Sequence, residues 1–120
     1  MINILAVFIG GGLGSLCRYA FGLYIPSASF PLATLLANTC ACFILGCMTG
    51  FFLKNNLGNH LKLLIGTGFC GGFSTFSTFS KETLELGQNT FSFITMSYIF
   101  LSIALGMLAV LGGMAVSNLK

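Results

Sequence analysis

Residues 71–80, Gly-Gly-Phe-Ser-Thr-Phe-Ser-Thr-Phe-Ser, place hydroxyls, aromatic rings and glycines inside an apolar run long enough to cross a bilayer. Hydrocarbon satisfies no loose backbone N–H or C=O group. Such a segment persists at membrane depth only where protein encloses it or where it borders a wet path. The chemistry on offer is donation by neutral dipoles. Hydroxyls, amide N–H groups and the electropositive edges of aromatic rings can together hold a small, partly dehydrated anion without a full counter-charge. Such a site has to stay weak, because conduction requires the ion to leave.

The same kinds of group recur at helical spacing elsewhere. Thr34 and Asn38 are i, i+4 and share a face, as do Tyr98 and Ser102; Phe76 and Phe79 are i, i+3. Thr39, Ser74, Thr75, Ser77, Thr78, Thr95 and Ser97 add hydroxyls to the same spans. Each has a plainer reading. Ser and Thr in membrane helices bond back to the i−4 carbonyl, an F-x-x-F pair packs helices, and a tyrosine anchors an interface. Asn38 is harder to set aside, since an amide in hydrocarbon requires a partner.

Other chemistries lack their residues. His60, the single histidine, falls in a connection, and the two carboxylates, Glu82 and Glu85, fall near a membrane boundary. A catalytic triad needs a histidine and a carboxylate together, and a zinc site needs three or four convergent ligands, so the chain does not read as an enzyme. Cys17, Cys40, Cys42, Cys47 and Cys70 lie in apolar runs and read as packing residues. The glycines at 10–14 do not follow G-x-G-x-x-G spacing and no strand precedes them, which removes a dinucleotide site. Proton-coupled transport keeps an ionisable group inside the membrane; apart from Arg18, no span carries one near its middle. The cations Arg18, Lys54, Lys62, Lys81 and Lys120 are scattered, so nucleic acid has no basic patch to bind.

The elements that must position these groups are membrane spans. Of the 120 residues 56% are hydrophobic and 6% charged, against about 25% charged in a soluble domain. Four apolar segments, near 3–24, 31–53, 62–86 and 91–116, each exceed the ~20 residues that cross a bilayer. The chain reads as one all-α membrane domain over 1–120, with its first segment a retained span rather than a signal peptide. Pro31 suits the first turn of the second helix. Residues 54–60 form the second connection, and Lys81 through Asn89 hold the end of span three and the next turn. Lys54, Lys62 and Lys120 fall on one side, Arg18 and Lys81 near the other, a poor orientation signal compatible with insertion both ways up. Gly46 and Gly50 form a G-x-x-x-G that suits either packing within one subunit or a dimer contact.

With these features the chain resembles the small Fluc-type fluoride channels over nearly its whole length. The most specific match is Gly68 through Ser80, Gly-Phe-Cys-Gly-Gly-Phe-Ser-Thr-Phe-Ser-Thr-Phe-Ser, similar to the family's third-helix signature. Gly11 through Tyr19 resembles the first-helix motif, and Thr34-Leu35-Leu36-Ala37-Asn38 the start of the second-helix motif. The resemblance implies a four-helix subunit paired antiparallel with a second copy, or with a paralogous subunit, and a third helix broken near the midplane. It implies a structural sodium ion at the dimer centre, held by the backbone carbonyls of Gly71 and Ser74, and two anion pathways per dimer. Phe76 and Phe79 match the pore phenylalanines, Asn38 the pore asparagine, and Thr78 the hydroxyl before the second phenylalanine. Tyr98 and Ser102 match the polar track of the fourth helix, and Arg18 a vestibule arginine; Thr34 is placed with the pathway. Two positions depart from the pattern: Ala41 stands where glycine is frequent, and Gly106 where a third hydroxyl is frequent. A tight break would also make Gly71→Val destabilising, because valine tolerates positive φ poorly.

The expected function is therefore passive, selective export of fluoride across the plasma membrane. The alternatives are a small four-helix drug or cation exporter, which needs a membrane-embedded carboxylate, and a membrane assembly subunit without transport of its own.

Overall fold

A computed structural model describes residues 1–27, 29–54, 58–88 and 92–118. Asn55, Asn56, Leu57, Asn89 and Lys120, which the sequence assigns to connections and the tail, lie outside these, as does the side chain of Lys54. The described residues are helical, without strands. α1 is Ile2–Tyr24, α2 is Leu32–Lys54, α3 is Asn59–Lys62, α4 is Gly71–Phe73, α5 is Phe76–Leu86 and α6 is Phe93–Asn118; Leu63–Cys70, between α3 and α4, is π-helical. His60 thus stands in the first turn of a helix rather than in a connection, exposed, with Nδ1 3.4 Å from Asn3 Oδ1.

Three helical stretches, Ile2–Tyr24, Leu32–Leu53 and Phe93–Ser117, are long and apolar enough to cross a membrane. Residues 59–86 differ. They form two helical pieces, 59–73 and 76–86, separated by extended backbone at Ser74 and Thr75. At 1.5 Å per residue, neither piece alone reaches across roughly 30 Å of hydrocarbon.

Close backbone contact at glycines organises the bundle into two pairs. α1 lies along residues 59–73, and α2 lies along α6. A methyl group added at Gly14 would run into the Phe69 carbonyl, and one at Gly72 into the Gly11 carbonyl. On the other pair, a methyl at Gly46 would meet the Val110 carbonyl and one at Gly113 the Phe43 carbonyl. The G-x-x-x-G of α2 is therefore used within one subunit, against α6. Apolar helices gain little from lipid exclusion, so this close van der Waals contact is what joins them. Between the pairs sits a core of Ala37, Ala41 and Phe73, flanked by Phe21, Phe69 and Ile44. Phe21 meets Phe73 edge-on, with centroids 5.2 Å apart and planes at 81°. Phe73 ends α4, so this packing anchors the chain just before it leaves the helix. Ala41, 1% exposed, fits that core with its methyl group.

Gly46→Val and Gly113→Val are expected to destabilise the solubilised protein by about 1–3 kcal/mol each, the usual cost of overpacking. Gly12→Ala, with nothing within 4 Å of the added carbon, should leave the melting temperature unchanged. Thermal unfolding in detergent measures both.

Candidate functional site

The site grows out of the interruption at Ser74 and Thr75. Ser74 has φ −75° and ψ 154°, and Thr75 has φ −151° and ψ 112°. Thr75 is the N-cap of α5: its Oγ1 accepts from the Thr78 N–H at 3.2 Å, a role that threonine side chains favour. Its own backbone would be stranded without a partner from another helix. Asn38, on α2, supplies both halves. Asn38 Oδ1 accepts from the Thr75 N–H at 2.7 Å, and Asn38 Nδ2 donates to the Thr75 carbonyl at 3.3 Å. A buried polar group left unpaired costs about 1–3 kcal/mol, so one side chain removes two such costs.

The interruption redirects two N–H groups. In an α-helix the Thr75 N–H would close on the Gly71 carbonyl and the Thr78 N–H on the Ser74 carbonyl. They go instead to Asn38 and to the Thr75 hydroxyl. The glycines themselves stay helical. Gly71 has φ −65° and ψ −34°, a methyl there meets open space, and no described glycine has positive φ. The expected intolerance of Gly71→Val is corrected accordingly: the tight glycine of the pair is Gly72.

A second junction involves a residue that the sequence assigned to the membrane boundary. Glu82 Oε1 accepts from Thr34 Oγ1 at 2.8 Å, and Glu82 Oε2 accepts from the Tyr98 hydroxyl at 2.7 Å. One carboxylate on α5 therefore binds α2 and α6 together. Tyr98 is fully buried and Thr34 is 8% exposed. Glu82, which the sequence places only near a membrane boundary, is half-buried and joined to two of the expected pathway residues. A signal was available, since Thr75, Thr78, Phe79 and Glu82 are i, i+3, i+4 and i+7 and so share a helix face.

Aromatic rings continue from this junction. Phe76 and Phe79 have centroids 5.7 Å apart, and Phe79 and Tyr98 are 5.3 Å apart. Phe30 meets Tyr98 edge-on at 5.4 Å. Phe76 stands 79% exposed on the outer face of α5. A cleft of about 430 Å³ opens beside the interruption, with Arg18, Thr34, Thr75, Thr78 and Glu82 among its walls. Arg18, from α1, brings a cation to the same space that Glu82 reaches. The Ser102 hydroxyl, one turn beyond Tyr98, is buried without a hydrogen-bond partner among the described residues. At Gly106, where the resemblance implies a third hydroxyl, an added carbon would lie 3.6 Å from Cys42 Sγ.

The structure thus gathers Arg18, Thr34 and Thr78 around the cleft, and Asn38 holds Thr75, another of its walls. Tyr98 bonds Glu82 and packs against the Phe79 ring, and Ser102 lies one turn further along α6. The plain i−4 reading holds for Thr39, Ser74 and Ser80, which donate to the carbonyls of Leu35, Cys70 and Phe76 at 2.8, 2.8 and 2.9 Å. Thr34, Thr75 and Thr78 bond elsewhere.

The family model described as CrcB-like protein, Camphor Resistance (CrcB), matches residues 5–114. A Bacillus subtilis (strain 168) protein named fluoride-specific ion channel FluC 2 is 45% identical over 113 residues, covering 94% of this chain and 86% of that protein. The fluoride-specific ion channel FluC of Flavobacterium psychrophilum is 38% identical over 122 residues, 98% of each. That of Bacteroides fragilis (strain YCH46) is 39% identical over 119 residues, 94% of each.

Glu82→Ala is expected to remove the acceptor that the Thr34 and Tyr98 hydroxyls share and to cost about 2 kcal/mol. Glu82→Gln, which keeps an acceptor and a donor in place, should recover most of that loss. Melting temperatures of the two solubilised variants give the comparison.

Proposed function

Because the chain belongs to the CrcB-like family, we propose that it is a passive, fluoride-selective channel of the plasma membrane, not an enzyme, through which fluoride leaves the cytoplasm. The observation that carries this reading is the interruption at Ser74 and Thr75 closed by Asn38, with Phe76, Phe79 and Tyr98 ranged beside it. Arg18 raises the anion concentration in the cleft. The hydroxyls of Thr34 and Thr78 replace water around the ion. Glu82 holds the Thr34 and Tyr98 hydroxyls when the ion is absent; on entry a hydroxyl turns from the carboxylate to the anion, one hydrogen bond exchanged for another. The ring edges of Phe76 and Phe79 offer positive potential without a charge that would trap the ion. The second amide N–H of Asn38 and the Ser102 hydroxyl are further donors along the way.

The finer architecture belongs to the same proposal. A second copy in antiparallel orientation, or a paralogous subunit, covers the exposed face of α5 that carries Phe76, and the pair has two pathways. The third span is interrupted near the membrane midplane. A sodium ion at the centre is held by the backbone carbonyls of Gly71 and Ser74. The residues fit such an ion: neither carbonyl receives the N–H four residues on, and hard cations take oxygen ligands. When bound, the ion supplies positive charge that ties the two interruptions together.

Glu82 favours one rival, a proton-coupled exporter of drugs or cations, because it is a half-buried carboxylate held by two hydroxyls. Vesicles holding purified, sodium-loaded protein separate the readings. With a potassium ionophore and no pH gradient, fluoride should leave rapidly and chloride should not. No fluoride efflux overturns the channel, and efflux that appears only with a pH gradient favours the exporter. Phe76→Ile keeps the bulk and loses the ring edge, so it should slow fluoride efflux by about tenfold or more while the protein stays folded, a change of at least ~1.4 kcal/mol in the barrier.

A further inference from the structure

The first half of the third span is not a plain α-helix. Over Leu63–Cys70 the backbone is π-helical, so each turn closes i→i+5 and takes in one residue more than an α-turn. What faces this segment from α1 shows where the extra residue is accommodated. An added methyl at Gly10 would run into the Leu64 carbonyl and stand 2.9 Å from the Phe69 nitrogen. Those two groups are five residues apart, the spacing of a π-helical pair. One turn along α1, a methyl at Gly14 would meet the Phe69 carbonyl and stand 2.8 Å from the Phe73 nitrogen. Those are four residues apart, the α-helical spacing. Gly10 and Gly14 are both buried. The α1 backbone therefore lies against the wide turn at Gly10 and against the normal turn at Gly14.

We infer that the third span carries one residue more than an α-helix between Asn59 and Ser74 would need, and that Gly10 is the positioning residue that seats the surplus between Leu64 and Phe69. The consequence is rotational. One residue of α-helix turns the chain by about 100° and advances it by about 1.5 Å. Tightening Leu63–Cys70 without removing a residue would swing Thr75 away from Asn38, whose bonds to it are 2.7 and 3.3 Å, and would re-aim Phe76 and Phe79. The role given to Gly10 in transport rests on the channel reading; the register itself does not.

Deleting Thr67, an exposed residue within the π-helical segment, tests the surplus. The shortened segment should close as an α-helix and leave both ends in place. Fluoride efflux should then stay within about threefold of the parent and the melting temperature should be near the parental value. Deleting Gly72, beyond the π-helical segment, should abolish efflux and lower stability. A Thr67 deletion that fails to fold, or folds and loses efflux while the parent conducts, overturns the inference. If the parent conducts no fluoride, the channel reading fails, and the two melting temperatures still decide the register. Gly10→Ala should lower the unitary fluoride current of channels that assemble. Fewer active vesicles with unchanged unitary current would make Gly10 a packing residue only and overturn its positioning role.

Discussion

The structure depends on the pair of hydrogen bonds between Asn38 and the backbone of Thr75. Hydrocarbon makes an interrupted helix costly, because neither water nor lipid takes up the freed N–H and C=O groups. Here the cost is met by one amide on a neighbouring helix, itself held in place by the glycine contacts between α2 and α6. The fold and the site are thus one arrangement. The close pairing of α2 with α6 sets where Asn38 stands, and Asn38 sets where α5 begins. The start of α5 then decides where Phe76, Phe79 and Glu82 point.

Glu82 poses the opposite electrostatic problem. A carboxylate beside an anion pathway repels the ion, and partial burial strengthens that repulsion. Two hydroxyl donors from different helices offset it. Thr34 and Tyr98 take one carboxylate oxygen each, which spreads the charge. The same junction ties α2, α5 and α6 together where α5 has few other contacts. On the proposed channel reading, a pathway of neutral donors includes one carboxylate because the donors are shared between it and the passing ion.

Much of this was legible in the sequence. Hydropathy marks the spans because a bilayer imposes a length on them, and the cluster of hydroxyls and rings at 71–80 marks the interruption because lipid cannot host it. The amide at Asn38 stood out for the same reason. The exact place of the interruption was less visible. Glycines drew attention to Gly71, but the chain departs at Ser74 and Thr75, where a threonine cap and the Asn38 bonds outweigh glycine's freedom. The role of Glu82 is hidden in the sequence, because distance from the span centre along the chain says nothing of what packs against it. Its partners, Thr34 and Tyr98, are distant in sequence and meet it only through tertiary packing. The π-helical turns at Leu63–Cys70 leave no mark in composition at all, since they reflect a register set by α1. Packing inside one subunit, not the motif, decided the use of Gly46 and Gly50.

The most direct measurement of the central claim is fluoride efflux from vesicles containing Asn38→Asp. The aspartate keeps the acceptor for the Thr75 N–H, but sets an oxygen against the Thr75 carbonyl where Asn38 Nδ2 now donates at 3.3 Å. The account predicts that efflux falls by about tenfold or more. Efflux equal to that of the parent protein would contradict it.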